Sequence, residues 1–549
     1  MSRFNKPTTR PAPQGPMRTT FAVPTVRTHE GAPAYEKDAK TELFQLAAVS
    51  MMAPSFYESE AMRTGRLTAL AHRVALADPA WLLGFVGWLR GPEGNMRTAS
   101  LVVAAEAVKA RLDAGAYQVP DGPKTMKMSG PVQLRTKPAP VGNRQIIAAA
   151  LQRADEPGEM LAYWISKYGR KLPQPVKRGV ADAARRLYTE YSLLKYDTAS
   201  HGFRFGDVLD LTHPNPATPE QGDLFAYALD RRHGRDTDPN GMALLMIAAN
   251  RKLRERVAQG FVNLLLDSAT LRTAGMTWED ALSLAGATVD KRVLWEAMIP
   301  SMGYMALLRN LRNFDEAGVS DQVADKVIAK LVDPAEVARS RQLPFRFYSA
   351  YQEAPSDRWK HALGVALDLS LANLPELPGR TLILIDTSGS MSWGTISPRS
   401  KVRPVDAAAV LGVALGQRFG ADVVQWASTR RPFPLRKGAS ALSEIARFVG
   451  DLNLCGGGTD LRQALGAYAG HNRVIVLSDM QTATMAGHVV PGNVPIYAWD
   501  LDGARATPFT THEANRYQLG GFTDSAFKIV PLLEANHDAG WPWEIPTAG

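Results

Sequence analysis

A helical repeat domain followed by a doubly wound α/β domain is the fold class that this sequence of 549 residues predicts. From Lys40 to about Asn373 apolar residues recur at three and four positions, the period of an amphipathic helix. After Pro375 the pattern changes to short β-branched and aromatic runs separated by helical stretches, as in a parallel sheet covered on both faces. With 45% hydrophobic and 21% charged residues the chain has ample core, and it is too long for one domain.

The first segment, residues 1–35, is rich in Pro, Thr and Arg with little periodicity and is expected to be a disordered basic arm. Residues 36–375 are the helical domain. TELFQLAAVSMM, PAWLLGFVGWLR, TASLVVAAEAVKARL, GMALLMIAANRKLRERV and KRVLWEAMIPSMGYMALLRNL each carry an apolar stripe, and Gly, Pro or Asp punctuates the series every 15 to 20 residues. Paired short helices in series imply an α-solenoid of degenerate repeats, with a compact bundle as the competing arrangement. In VKRGVADAARRLYTEY, Val176, Val180, Ala184, Leu187 and Tyr191 form one stripe, while Arg178 and Arg185 share another face. Pro123 to Arg144 has prolines, glycines and no periodicity, so it is a basic loop, suited either to phosphates or to solubility.

Residues 376–549 are the α/β domain. LILI, VVQW, VIVLSD and PIYAWDL are its apolar strands, and DAAAVLGVALGQRF and SALSEIARFVGDL are helices between them.

Charge is distributed unevenly. The chain has 63 Lys and Arg against 54 Asp and Glu, and from Thr381 onward the two signs balance at 14 each, so the excess of nine lies N-terminal. It concentrates between Met160 and Arg204, with nine basic and three acidic residues. A polyanionic partner is the pointed explanation, and solvated helix faces are the plain one. Cys455 is the single cysteine, which excludes a disulfide framework and a cysteine metal cluster and favours a reducing compartment. With no signal-peptide pattern and no long apolar run, the expected location is cytoplasmic, with no membrane partner.

The stretch LILIDTSGSM, Leu382 to Met391, runs a buried strand into a carboxylate and two hydroxyls. Ligands of open α/β sheets sit beyond the carboxyl ends of the strands, so Asp386, Ser388 and Ser390 lie where chemistry is expected, with Gly389 easing the turn. GGGTD offers Thr459 from a glycine-rich loop, and VIVLSDMQT places Asp479 at another strand end. Five oxygen ligands from three loops suit one hard divalent cation, Mg²⁺ above all. Helix capping by Ser and Asp would account for DTSGS alone but not for Thr459 and Asp479. Phosphoryl transfer lacks a second acid in DTSGS and a Walker lysine, so no catalytic residue is assigned and the chain is not read as an enzyme.

These five positions resemble the metal-ion-dependent adhesion site (MIDAS) of von Willebrand factor A domains. In the helical half, VLWEAMIPSMGYMALLRNLRNF and LPFRFYSAYQEA resemble the TROVE domain of the Ro autoantigen family. YGRKLPQPVKRGVADAARRLYTEY, LLKYDTASHGFRFGDVLDLTHPNP and the terminal GGFTDSAFKIVPLL are similar to further stretches of that family, so the resemblance runs from about Thr41 to Leu533. It implies a ring of HEAT-like helical repeats, monomeric and joined by the A domain. It also implies an RNA-binding ribonucleoprotein component, taking small noncoding Y-type RNA on its outer surface and single-stranded 3′ ends of misfolded RNA in its basic hole, with a 3′ exoribonuclease as a collaborating partner. Lys195 and His213 fall at family positions that contact RNA. Local charge adds Arg170, Lys171, Lys177, Arg178, Arg185 and Arg204 as candidates. Two rival functions stay open. One is a scaffold that binds proteins through its metal site without a role for RNA, and the other is a chelatase-like accessory subunit, which leaves the helical half unexplained.

Overall fold

The computed structural model describes residues 17–49, 56–115, 141–198, 202–286, 289–340, 342, 344–354, 356–370, 377–396, 401–521, 529–534 and 541–544. The predicted class is the class observed, helices followed by a doubly wound α/β sheet. Two compact units divide the chain. One comprises Ala71–Gly91 and Ser100–Ala329, and the other Met1–Leu70, Pro92–Ala99 and Lys330–Gly549.

The first unit is built of short helices packed on near neighbours in sequence. Helix Gln174–Leu187 lies against Asn143–Ala150, Glu156–Tyr168 and Phe205–Thr212, and the last of these against Pro219–Arg232. Val176, Val180, Ala183 and Ala184 form its buried stripe. Gly179 lets the backbones approach, since a Cβ there would stand 2.8 Å from the Arg144 carbonyl oxygen. The helix is shorter than the periodicity suggests. It ends at Leu187, and Thr189 starts a new helix, Glu190–Tyr196, by accepting the Ser192 N–H while the Ser192 hydroxyl takes the Thr189 N–H. Tyr191 therefore leaves the stripe and is exposed, whereas Tyr188 is buried and stacks on Phe205 at 3.8 Å.

A charge is also buried in this unit. Glu106, fully enclosed, accepts hydrogen bonds from the Tyr163 and Tyr168 hydroxyls at 2.6 Å and from Lys167 at 2.8 Å, with His72 at 2.9 Å. Burial alone would raise its pKa, but these donors outweigh it and hold the carboxyl below its usual value.

The second unit is centred on a six-stranded sheet. Strands β1 (Val26–Arg27) and β2 (Pro33–Glu36) come from the N-terminal segment. They are followed by β3 (Thr381–Asp386), β4 (Asp422–Trp426), β5 (Arg430–Pro432), β6 (Arg473–Ser478), β7 (Ile496–Asp500), β8 (Ala506–Thr507) and β9 (Arg516–Gly520). The sheet order is β5-β4-β3-β6-β7-β9, parallel throughout except for β5. Strands β3, β6, β7 and β9 are buried along their whole length, which explains why their sequences do not alternate.

The expected arm over 1–35 requires correction from Met17 onward; residues 1–16 lie outside the described residues. Strand β1 pairs with β2, and β2 pairs with β8 more than 460 residues later. Thr19 donates its N–H to the Thr511 hydroxyl at 3.0 Å, and the Lys37 ammonium donates to Asp500 at 2.5 Å with both side chains fully buried. Polar strands this short carry no periodicity of their own, and their partners at the far end of the chain supply the order.

The boundaries at 36 and 375 also shift. Helix Ala39–Val49 packs on β9, with the Gln45 amide donating to the Leu519 carbonyl at 2.9 Å. Helices Pro344–Glu353 and Asp357–Ser370 pack on Pro404–Phe419 and Ala441–Gly450 beside the sheet. Periodicity fixes which face of a helix is buried but not the surface that covers it. The basic loop Pro123 to Arg144 falls outside the described residues up to 140.

Candidate metal centre and nucleic-acid interface

The five oxygen-bearing residues lie on loops at the carboxyl end of the sheet, and all are buried. Strand β3 delivers Asp386 between β4 and β6. One carboxylate oxygen of Asp386 accepts the Ser388 N–H at 2.8 Å, and the other accepts the Ser478 hydroxyl at 2.6 Å. The loop then curls so that the Ser388 and Ser390 hydroxyl oxygens stand 3.2 Å apart. Gly389 is right-handed, at φ −58°, so the expected easing of the turn is corrected. Its N–H instead donates to the Gly457 carbonyl at 3.2 Å and joins the DTSGS loop to the glycine-rich loop.

In that second loop Gly456 has φ +84°, and a Cβ on Gly458 would stand 2.8 Å from the Ser428 hydroxyl, so the glycines there are required. Thr459 is fixed through its carbonyl, which accepts the Ala483 N–H at 2.8 Å and the Thr482 hydroxyl at 3.1 Å. Asp479 follows β6 directly and accepts the Gln481 N–H at 3.1 Å. Next to it Met480 is buried in the left-handed region at φ +61°, a conformation that costs a side-chain-bearing residue energy and is held only by its surroundings.

Burial pushes the Asp386 carboxyl up to about 6, with Ser478 and Ser388 opposing in part. Burial pushes Asp479 up as well, and the charge of Asp386 adds to it. Two carboxylates and three hydroxyls, buried together, form a donor set that a hard divalent cation fits: it would offset both the desolvation and the repulsion.

Sequence reasoning missed the residues that approach this site from the N-terminal segment. The β1–β2 turn is pinned to the loop after Asp479: the Thr28 hydroxyl donates to the Thr482 carbonyl at 2.6 Å, and the His29 N–H to the Gln481 side chain at 2.9 Å. The Tyr57 ring stacks on His29 at 4.6 Å, and its hydroxyl donates to Glu30 at 2.9 Å. Ser478, adjacent to Asp479, was within sight of the sequence; Glu30 and Tyr57, more than 300 residues from the motif, gave no signal.

The basic candidates separate into groups. A cavity of about 420 Å³ in the helical unit brings together Lys177, Arg178, Arg185 and His213, with Arg144 and Asp182 in its wall. Arg144 grips Asp182 through two hydrogen bonds, of 2.6 and 2.7 Å. His213 ends helix Phe205–Thr212 in the left-handed conformation, at φ +47°, and is exposed. Lys195 is not among the lining residues. Its ammonium stands 5.6 Å from the Tyr191 ring centre and 5.2 Å from that of Tyr196, and the Arg153 guanidinium also lies over Tyr196 at 5.5 Å. Arg170 and Lys171 are exposed in the loop after helix Glu156–Tyr168 and do not line the cavity. Arg204 is engaged within the fold. Its guanidinium is held on the buried Asp197 at 2.6 Å, and its backbone N–H donates to Asp207 at the start of helix Phe205–Thr212.

Comparison with known proteins bears on both units. The TROVE domain model matches residues 272–358, a segment that contains neither site. Telomerase protein component 1 of Mus musculus is 40% identical over 77 residues, 14% of this chain and 3% of that protein. RNA-binding protein RO60 of Deinococcus radiodurans is 26% identical over 297 residues, 48% of this chain and 55% of that protein. The chain thus spans about half the length of the Deinococcus relative and a small part of the telomerase component. The crystal structure of the Deinococcus radiodurans RO (RSR) protein superposes with a TM-score of 0.59 at 18% identity, covering 91% of this chain and 99% of that one, so the fold is shared. Family segment, relative and fold agree in pointing the same way: residues 272–358 are similar to the TROVE domain, and the chain is similar in sequence and fold to the Ro protein of Deinococcus radiodurans.

Proposed function

We propose that this chain is an RNA-binding protein of Ro type, without catalytic activity of its own. The observation that carries the proposal is the cavity lined by Lys177, Arg178, Arg185 and His213 in a chain related to an RNA-binding protein of Deinococcus radiodurans. Three cations on one helix attract phosphates with little sequence preference, and release of counterions supplies the affinity. The RNAs proposed are small noncoding RNA of Y type and single-stranded 3′ ends of misfolded RNA, retained for quality control and passed to a 3′ exoribonuclease. Exposed Tyr191 beside Lys195 offers a second contact, where a base can stack.

In the von Willebrand factor A reading, Asp386, Ser388, Ser390, Thr459 and Asp479 would hold one divalent cation, Mg²⁺ by the hardness of the ligands. Once bound, such an ion offers a coordination position to a carboxylate.

Copurification tests the proposal. The full chain is isolated from its native host with its RNA, beside a variant carrying Arg178→Ala, Arg185→Ala and His213→Ala. A discrete small RNA recovered with the wild type and lost from the variant is the expected result. Ribosomal fragments alone, equal in both, would overturn it in favour of a metal-dependent protein scaffold.

A further inference from the structure

A second cavity lies at the opposite end of the sheet from the candidate metal centre. It encloses about 980 Å³ beside β4 and β5, and its walls include Arg380 and Asp422, at the amino ends of β3 and β4. Arg380 precedes β3 and Asp386 ends it, about 20 Å away along an extended strand, so the two places are distinct.

Much of the charge in these walls is already matched. One carboxylate oxygen of Asp422 accepts from the Arg380 guanidinium at 2.8 Å and stands 2.8 Å from His471 Nε2, and Arg436 is held on Glu444 at 2.6 Å. Arg430 and Lys437 differ. Both line the cavity, both are exposed, and among the described residues neither pairs with a carboxylate.

The two cations are also held in place. The Arg430 guanidinium passes over Gly466 to donate to the Gln463 carbonyl at 2.7 Å. A Cβ on Gly466 would overlap Arg430 Nη1, whereas the backbone there, at φ −64°, accepts any residue; the glycine serves the path of the arginine. Lys437 is carried on a segment fastened on both sides. The Phe433 N–H donates to the Val423 carbonyl at 2.8 Å, the Gln417 amide donates to the Ala439 carbonyl at 2.9 Å, and Gly438 turns the chain between them at φ +77°. Tyr468, half-buried, adds an aromatic side to the same cavity.

We propose that this cavity binds a nucleoside diphosphate, with Arg430 and Lys437 on its phosphates and its base against Tyr468. Phosphate oxygens suit both donors, the guanidinium as a planar fork and the ammonium as a point charge. The volume is that of a small-molecule site, of which inorganic phosphate would fill only a small part. A tyrosine ring stacks on a base with little regard to its identity. The inference depends on neither the RNA nor the metal reading.

Calorimetric titration of the full chain with ADP, and separately with pyrophosphate, is the test. Wild type is compared with Arg430→Ala, Lys437→Ala, Gly466→Ala, Tyr468→Leu and Arg431→Ala. ADP is expected to bind the wild type, with affinity lowered about tenfold or more by Arg430→Ala and by Lys437→Ala. Gly466→Ala keeps every charge and obstructs only the path of Arg430, so it is expected to weaken ADP in the same direction. Arg431→Ala removes an exposed neighbouring charge that does not line the cavity and is expected to leave the affinity as it was. Tyr468→Leu should weaken ADP and spare pyrophosphate. Absence of ADP binding, or ADP affinity unchanged by both Arg430→Ala and Lys437→Ala, would overturn the inference. Single-stranded RNA that binds less tightly to these two variants, with no binding of ADP, would overturn it in favour of a strand's phosphates.

Discussion

Changing Lys177, Arg178 and Arg185 together to Ala is the most direct perturbation of the RNA interface. All three line one cavity on helix Gln174–Leu187. Arg178 and Arg185 are seven residues apart, about 10 Å along the helix axis at 1.5 Å per residue, so they reach different phosphates. Each contact to a single strand contributes about 0.7 to the slope of log affinity against log salt, and three lost contacts lower the slope by about 2. Between about 50 and 200 mM salt, a fourfold change, the wild type then loses about 16-fold more affinity than the variant. Fluorescence anisotropy with a labelled single-stranded RNA across that range is the assay. Arg204→Ala is the control: it removes one of the two guanidinium partners of buried Asp197, leaving Arg231 at 3.2 Å, and is expected to lower the melting temperature while leaving the salt slope as it was. Equal slopes for the triple variant and the wild type would refute the assignment of the cavity to phosphates.

Three other outcomes are expected. Mg²⁺ at about 100 times its Kd should stabilise the wild type by about 2.7 kcal/mol in chemical denaturation, and Asp386→Asn should lose that gain. Lys37→Met leaves the Asp500 carboxylate buried without its ammonium and should cost about 3–5 kcal/mol, read from the urea midpoint. Glu106 has a depressed pKa in the folded chain, so its stabilisation is present above the unfolded value of 4.5 and is lost as pH falls through the lower folded value. Glu106→Gln should therefore be less stable than wild type at pH 7 and show a shallower loss of stability on acidification below pH 4.5, followed by thermal melts across pH.

Residues whose role is local were legible in the sequence. The apolar runs of β3, β6 and β7 announced a buried parallel sheet, and Asp386, Ser388, Ser390, Thr459 and Asp479 could be assembled because strand-end loops of such a sheet meet at one edge. Arg178 and Arg185 shared a face by helical period and share a cavity in the structure. Where a side chain's partner lay far off, the sequence was silent. Arg204 read as a surface cation because Asp197 was not known to be buried beside it. Glu30 and Lys37 read as parts of a featureless stretch and its edge, because their neighbours, Tyr57 and the Asp500 loop, are brought to them only by the tertiary fold. The break at Tyr188 was hidden for another reason, since Thr189 caps a new helix without interrupting the hydrophobic count.

The buried pair of Lys37 and Asp500 has a consequence for how the protein is made. Ribosomal synthesis proceeds at about 5–20 residues per second, and 463 residues separate the two partners, so Lys37 waits roughly 20–90 s for its carboxylate. During that interval every residue of the helical unit emerges, while β2 has neither β8 to pair with nor the sheet to lie on. The nascent N-terminal segment is thus an unpaired strand edge for most of translation, and its docking is the step that awaits the arrival of the final strands.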